Sequence, residues 1–496
     1  MKILYFFAFL CLGMNLAVAD KKRVAKESTN MPNIIIFFVD NLGYGDIEPF
    51  GSVLHKTPNL DKLANQGIKL THFYSTSGVC TPSRASLMTG SYPRRVNLHV
   101  SNAGGPVLRP VEPIGLHPDE ITIATLLKEV GYTTGIIGKW HLGDQKPFLP
   151  TSHGFDYYFG VPYSDDMTQV HEQHRIPNAP KLPLMRNTEV IEAPVDRAFL
   201  TQKETAEAIR FIEANQDKPF FLYLPQAMPG SEIEPFASPA FKGKSKNGAW
   251  GDSVEELDWS AGKILNTLKR LKLHDNTLVI WTSDNGAPTE GRDPSLGVGS
   301  NGPLGGSGYT TAEAGQRIPM IAWWPGVIPA GTINEEMATT MDLYVTFANL
   351  AGAEIPQDRE IDGYDIFDLL LDKPEAQTPY EAFYYYYGPQ LQAVRSGPWK
   401  LYLPLERKIR IFGSNNDPQE AQLYNVVTDP GETKNVVDQH PEIVEEIKEH
   451  AERARTELGD GDGRVDHKGE GQRPVGRVEN PTPRVPSCCN KNATDD

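Results

Sequence analysis

Cysteine is scarce. Four stand in 496 residues, Cys11, Cys80, Cys488 and Cys489, too few for a disulfide-built scaffold. Past the first twenty residues no apolar run reaches 18, which excludes a membrane-spanning helix there. Positive charge is also short: 48 Lys and Arg face 64 Asp and Glu, a net charge of −16. Surfaces that grip phosphate backbones are basic, so nucleic acid is excluded as a partner. An anionic small substrate would need a local positive site, because the net field repels it. The 44 Gly and 40 Pro follow no Gly-X-Y period. That excludes collagen and predicts many loops. With 39% hydrophobic and 23% charged residues, long disorder is excluded as well.

The N-terminus has the pattern of an export signal. Lys2 precedes the apolar run Ile3–Leu12, and Ala17-Val18-Ala19 offers a small-residue cleavage site. The run is short for a span of about 20 residues, and Leu10 is bulkier than the residue that precedes a lipidated cysteine. The expectation is a signal peptide over 1–19 and an exported chain, periplasmic or secreted. Cys11 would leave with the signal. Cys488 and Cys489 stand together in a polar tail, where a vicinal disulfide, a link between chains or no role at all are open. Cys80 is left as a lone thiol.

Residues 20–30 are charged and polar, a linker. From 31 to 375, short apolar runs alternate with helical-period stretches. The runs Ile34–Val39, Gly135–Ile137, Phe220–Leu224 and Leu278–Trp281 are rich in β-branched or aromatic residues, as strands buried on both faces are. Helices are predicted after Thr57-Pro58, with Asn59 as N-cap and Gly67 at C′, and over Thr122–Val130, Thr201–Asn215 and Val254–Leu271. The alternation predicts an α/β fold: a large, mostly parallel sheet flanked by helices. Residues 376–458 change texture. Phe383–Tyr387, Gln392–Arg395, Trp399–Leu403 and Gln422–Val426 predict a small antiparallel sheet, followed by a helix over Glu442–Glu457. The aromatic run Tyr384–Tyr387 suits a sugar platform or an edge strand packed on that helix. Residues 459–496 are predicted to lie extended over the surface.

In a parallel sheet, ligands sit beyond the C-terminal strand ends. Three runs deliver polar groups there: Asp40-Asn41, then Lys139 and His141, then Asp284-Asn285. Asp40, Asn41, Asp284 and Asn285 are all oxygen donors, which suits a hard cation such as Ca²⁺ or Mg²⁺. Taken singly, each pair equally fits a helix cap or a turn, and Lys139 and His141 fit solvated or structural roles. The segment Cys80–Gly90 reads CTPSRASLMTG. Pro82 fits a first helical turn, and Ala85, Leu87 and Met88 give the helix an apolar face. Cys80 therefore opens a helix, where free N–H groups favour an anion, and Arg84 lies four residues on. On these residues alone Cys80 reads as a reactive thiol nucleophile.

Here the chain resembles the type I, formylglycine-dependent sulfatases of the alkaline phosphatase superfamily. Cys80-Thr81-Pro82-Ser83-Arg84 with Thr89-Gly90 matches their C-x-P-x-R signature. Gly138–Gly143 matches G-K-W-H-L-G, Pro32–Asp46 the opening strand and its D-x-L-G-Y-G-D, and Ser283–Gly286 the S-D-N-G element. The resemblance implies an alkaline-phosphatase-like fold and hydrolysis of sulfate esters, with a sulfated carbohydrate, a polysaccharide or its oligosaccharides, as substrate. It implies that a maturation enzyme oxidises Cys80 to formylglycine (3-oxoalanine), whose hydrate attacks sulfur. It implies Ca²⁺ on Asp40, Asn41, Asp284 and Asn285, with Arg84, Lys139 and His141 around the formylglycine and the sulfate.

Three departures from the family stand in the sequence. Asp40-Asn41 replaces the usual Asp-Asp. Met228-Pro229-Gly230 replaces M-P-H, losing a histidine. Gly305-Gly306-Ser307-Gly308-Tyr309-Thr310-Thr311 replaces G-G-K-G-T-T, with Ser307 at the lysine position. His171, His174, His99 and Arg95 are candidates by character to supply the missing contacts, and His171, His174 and Ser307 are the candidate substrate-binding residues. The loops Asp144–Arg197, with Ser164-Asp165-Asp166, and Glu290–Ser300 are expected to set specificity. The departures leave two alternatives: a phosphate or phosphonate ester hydrolase on the same scaffold, and a glycan-binding protein without turnover.

Overall fold

The computed structural model describes residues 31–168, 180–230, 237–290, 294–411 and 417–485. The signal peptide, the linker, His171, His174 and the tail cysteines lie outside the described residues.

Thr277–Ser283, Asn33–Val39, Phe220–Leu224, Thr133–Ile137 and Tyr157–Gly160 lie side by side in that order, all parallel. Alternation fixes what each strand buries. Ile34, Ile36 and Phe38 enter one apolar cluster, while Ile35, Phe37 and Val39 enter another on the opposite face. Both faces are covered, so between Asn33 and Asp40 the strand carries no polar residue. The parallel core matches the sequence expectation. Beyond Thr277–Ser283 the sheet turns mixed: Arg317–Trp323 runs antiparallel both to it and to Ile68–Tyr74.

The helix Ile123–Glu129 is capped by Thr122, whose Oγ1 accepts from Thr125 N at 3.2 Å, and Gly131 follows at φ 99°. Two expected boundaries shift. Pro58–Asn65 is preceded by Thr57, and Asn59 is inside the helix because its amide donates to Asp258 at 2.7 Å. The long helix starts at Gly248, not Val254, because Trp250 is buried in the core and its indole N–H reaches Asp46 at 3.2 Å. Packing outweighs local preference in both cases.

The strands Phe383–Tyr387, Gln390–Ser396, Trp399–Tyr402 and Gln422–Asn425 form the antiparallel sheet, against which Pro441–Leu458 packs. Glu313 ties it to the large sheet. This buried carboxylate accepts from Tyr74 at 2.6 Å and Tyr385 at 3.0 Å, and pairs with Lys400 at 3.2 Å. Within the aromatic run, Phe383, Tyr385 and Tyr386 are structural, buried in the small core. After the helix the chain folds back, pairing Gly476–Arg477 with Ile114–Gly115 and setting Arg473 on Glu120 at 2.8 Å.

Candidate active site

Of the three strand ends expected to deliver polar groups, those of Thr277–Ser283 and Asn33–Val39 are adjacent and that of Thr133–Ile137 lies beyond Phe220–Leu224, yet their side chains converge. Asp40, Asn41, Lys139, His141, Asp284 and Asn285 are all buried. Asn41 and His141 sit at φ 61° and 63°, a left-handed backbone that costs a non-glycine residue about 1–3 kcal/mol and concentrates at functional sites.

Cys80 opens the helix Cys80–Thr89, all of whose residues are buried. Ligand atoms of Asp40, Cys80 and Asp284 lie within 4.8 Å of one another. Arg84, one turn on, binds Asp40 at 2.9 Å and Asp284 at 2.8 Å, and donates to the Lys139 carbonyl at 2.7 Å. Lys139 Nζ sits 2.7 Å from Asp40 and 3.2 Å from Ser164 Oγ. Two buried cations thus answer two buried carboxylates, and truncating one partner of such a pair is costly. Burial raises both acids. Lys139 and Arg84 nevertheless hold Asp40 well below the usual carboxylate range, while burial and the Asp40 charge push Asp284 up to about 7.

The reading of Cys80 as an activated thiolate needs correction. Burial, then Asp40, push its thiol well above its ordinary value, the opposite of an activated nucleophilic cysteine. As a thiol it is inert. Burial governs His141 as well. Burial, then Lys139, lower it far below its ordinary value, so the ring is neutral. Its Nε2 lies 2.9 Å from the Leu108 carbonyl, which can only accept. Nε2 therefore carries the hydrogen and Nδ1 the lone pair. Nδ1 is buried with no partner among the described residues.

The donor set fits a hard cation. Asn285 donates its amide to Asn41 Oδ1 at 2.7 Å and leaves its own Oδ1 buried and unpartnered among the described residues. Asp40, Asn41, Asp284 and Asn285 can all turn oxygens to one point, and a cation there would satisfy that orphan.

The departures prove connected. Asn41 Nδ2 donates to Gly230 O at 2.7 Å and to the Tyr309 hydroxyl at 3.0 Å. An aspartate could do neither, so Asn41, Gly230 and Tyr309 form one hydrogen-bonded unit. Gly230 has φ +27°, and a Cβ on it would lie 2.4 Å from Asp40 Oδ2 and 2.2 Å from Ala227 O. Tyr309, at φ 63°, is buried and donates its backbone N–H to Gly78 O at 3.0 Å, just before Cys80. Sequence reasoning passed over Tyr309. The available signal was length: Ser307-Gly308-Tyr309-Thr310 is one residue longer than K-G-T.

Ser307 is buried, and its Oγ accepts the backbone N–H groups of Thr289 at 2.8 Å and Glu290 at 3.3 Å. It orders the loop, and it replaces neither charge nor reach of a lysine. His99 and Arg95 do not join the site. Arg95 forks onto Asp362 at 2.8 Å and reaches Glu457, while His99 contacts Arg94 and Asp466. Asp165 pairs with Arg197.

Comparison with known proteins decides the family. The family model Sulfatase matches residues 32–353. The chain belongs to the sulfatase family. It is a sulfuric ester hydrolase, and a second family model, N-sulphoglucosamine sulphohydrolase C-terminal, matches 310–457. This sulfatase is 40% identical over 386 residues to N-acetylgalactosamine-6-sulfatase of Canis lupus familiaris, covering 74% of this chain and 71% of that one. It is 36% identical over 443 residues to human steryl-sulfatase, with 75% of each chain covered. A solved structure from Bacteroides thetaiotaomicron, from work on its metabolism of multiple glycosaminoglycans, has TM-score 0.72 at 29% identity, covering 86% of this chain and all of that one. The relatives act on sulfated sugars and sterols by name, so sulfate-ester hydrolysis is common ground. Among the described residues no helix is long and apolar enough to cross a membrane.

Proposed function

We propose that this sulfatase is exported, periplasmic or secreted, and hydrolyses sulfate esters of a sulfated carbohydrate through a formylglycine made from Cys80 by a maturation enzyme, with Ca²⁺ held by Asp40, Asn41, Asp284 and Asn285. The observation that carries this reading is the convergence of Cys80, Asp40 and Asp284 within 4.8 Å under Arg84 and Lys139. The sugar class is supported by the N-acetylgalactosamine-6-sulfatase relative and the glycosaminoglycan-linked neighbour. Residues 31–375 form the catalytic unit in this reading, 376–458 the small subdomain and 459–496 the tail, after a signal over 1–19 and a linker over 20–30.

When present, calcium supplies positive charge to the sulfate oxygens and formylglycine supplies the attacking hydroxyl. The remaining work falls to side chains. Arg84 and Lys139 fix the Asp40 and Asp284 carboxylates and add positive potential where charge develops in the transition state. The lone pair of neutral His141 Nδ1 is free to accept a hydrogen bond from the attacking hydroxyl and orient it. The alcohol leaving from sulfur needs a proton, and the usual histidine is absent at Gly230. The Tyr309 hydroxyl takes that part, since it reaches Asn41 in the site and the Asn41 amide stabilises the phenolate left behind.

The test is free sulfate released from sulfated glycans and their oligosaccharides by protein made together with a formylglycine-generating enzyme. Release is expected, with none from Cys80→Ala and much less after calcium chelation. Full turnover by Cys80→Ala contradicts the reading.

A further inference from the structure

Between the 306–312 loop and the small C-terminal sheet lies a cavity of about 320 Å³, within the range of small-molecule sites. Tyr309 belongs to its wall, and the same residue's hydroxyl lies 3.0 Å from Asn41. Tyr309 thus stands between the cavity and the catalytic centre, touching both. Tyr387, Tyr402 and Tyr424 line it, with Lys408 and Arg410. Tyr402 and Tyr424 pack edge to face, with ring centroids 6.0 Å apart. Lys408 Nζ stands 5.4 Å from the centre of the Tyr402 ring.

The charge balance in this cavity is uneven. Lys408 is half-buried, and no carboxylate pairs with it among the described residues. Glu432 faces the cavity but is already taken: it binds Lys400 at 3.0 Å, and accepts from Tyr402 at 2.8 Å and from Glu313 N at 2.8 Å. Glu290 is an exposed rim residue. Burial, then Arg410 and Lys400, lower the Lys408 ammonium to about 8. A half-buried cation beside other cations is stabilised by an anion. Aromatic rings in the wall suit the apolar face of a sugar ring.

We propose that this cavity is a saccharide subsite whose Lys408 ammonium recognises a second anionic group, a uronate carboxylate or a further sulfate, on the sugar bearing the scissile ester or on its neighbour. The inference rests on the carbohydrate reading above and narrows it to multiply anionic glycans. It also explains how a chain of net charge −16 holds such a substrate: the positive potential is local.

The experiment uses formylglycine-containing full-length protein and matched pairs of sulfated disaccharides. One set carries a uronate or its methyl ester; the other carries a second sulfate or a free hydroxyl there. Sulfate release gives kcat/KM for each member. Wild type should prefer the anionic member of a responding pair by at least tenfold, mainly through KM. Lys408→Met should bring that ratio to about one, and Lys408→Arg should restore most of it. The responding set distinguishes carboxylate from sulfate. No preference in wild type, or an unchanged preference in Lys408→Met, overturns the proposal. If no disaccharide releases sulfate, the catalytic reading fails. The subsite is then judged by calorimetric binding of the same pairs to Cys80→Ala, where equal affinity for both members, or no binding, overturns it.

Discussion

Restoring the family's histidine at Gly230 should damage this enzyme. Any side chain there needs a Cβ, and that atom would lie 2.2 Å from Ala227 O and 2.4 Å from Asp40 Oδ2. The first is backbone and cannot swing away. The second belongs to a carboxylate already held by Lys139 and Arg84. Two costs add. The positive φ disfavours an L-residue by about 1–2 kcal/mol, and forcing atoms into a packed site costs about 1–3 kcal/mol more. Gly230→Ala should therefore lose about 2–5 kcal/mol, read from urea unfolding midpoints beside wild type. Displacing Asp40 should also weaken calcium binding, measured as a smaller rise in melting temperature on adding the ion. Gly230→His should be at least as unstable as Gly230→Ala. An alanine variant as stable as wild type, with its calcium response intact, would refute the packing argument.

Other substitutions test other parts of the account. Tyr309→Phe should lower kcat by about 10²-fold, the low end for loss of a proton donor, with little change in melting temperature. An unchanged kcat removes Tyr309 from the reaction. Lys400→Met leaves Glu313 and Glu432 buried without their shared cation and should cost about 3–5 kcal/mol in denaturant unfolding. Glu313 is buried, yet Lys400 and Arg317 lower it from 4.5 to about 2. Its ionised form therefore stabilises the fold fully above pH 4.5, and that contribution fades as pH falls toward 2. Glu313→Gln should flatten the fall in melting temperature across that window. A profile as steep as wild type's would contradict the assignment.

Much of this centre was legible in the sequence because strand ends announce themselves. Short apolar runs rich in β-branched residues, such as Ile34–Val39 and Leu278–Trp281, read as buried strands, and the polar residues after these two meet because the strands are neighbours. Cys80, Arg84 and Pro82 mark a helix start by local chemistry alone. Illegible were features set by distant partners. Cys80 was read as reactive from its helix terminus, but burial beside Asp40 and Asp284 reverses that. The neutral state of His141 comes from burial beside Lys139, and its tautomer from the Leu108 carbonyl, neither of them readable from the residue's neighbours in sequence. Asn41 and Gly230 looked like separate losses; only their contact shows that one amide serves both Gly230 and Tyr309. Arg95 and His99 were candidates by character, yet their partners Asp362 and Asp466 lie far along the chain. The antiparallel strand Arg317–Trp323 carries no period that distinguishes it from a parallel one.

The central claim is that Cys80, once converted, carries the reaction. The direct measurement is sulfate release from a responding glycan against the fraction of Cys80 converted, the latter by mass spectrometry, across preparations made with increasing amounts of formylglycine-generating enzyme. The account predicts a straight line through the origin. Sulfate release that persists in protein with unconverted Cys80 would contradict it.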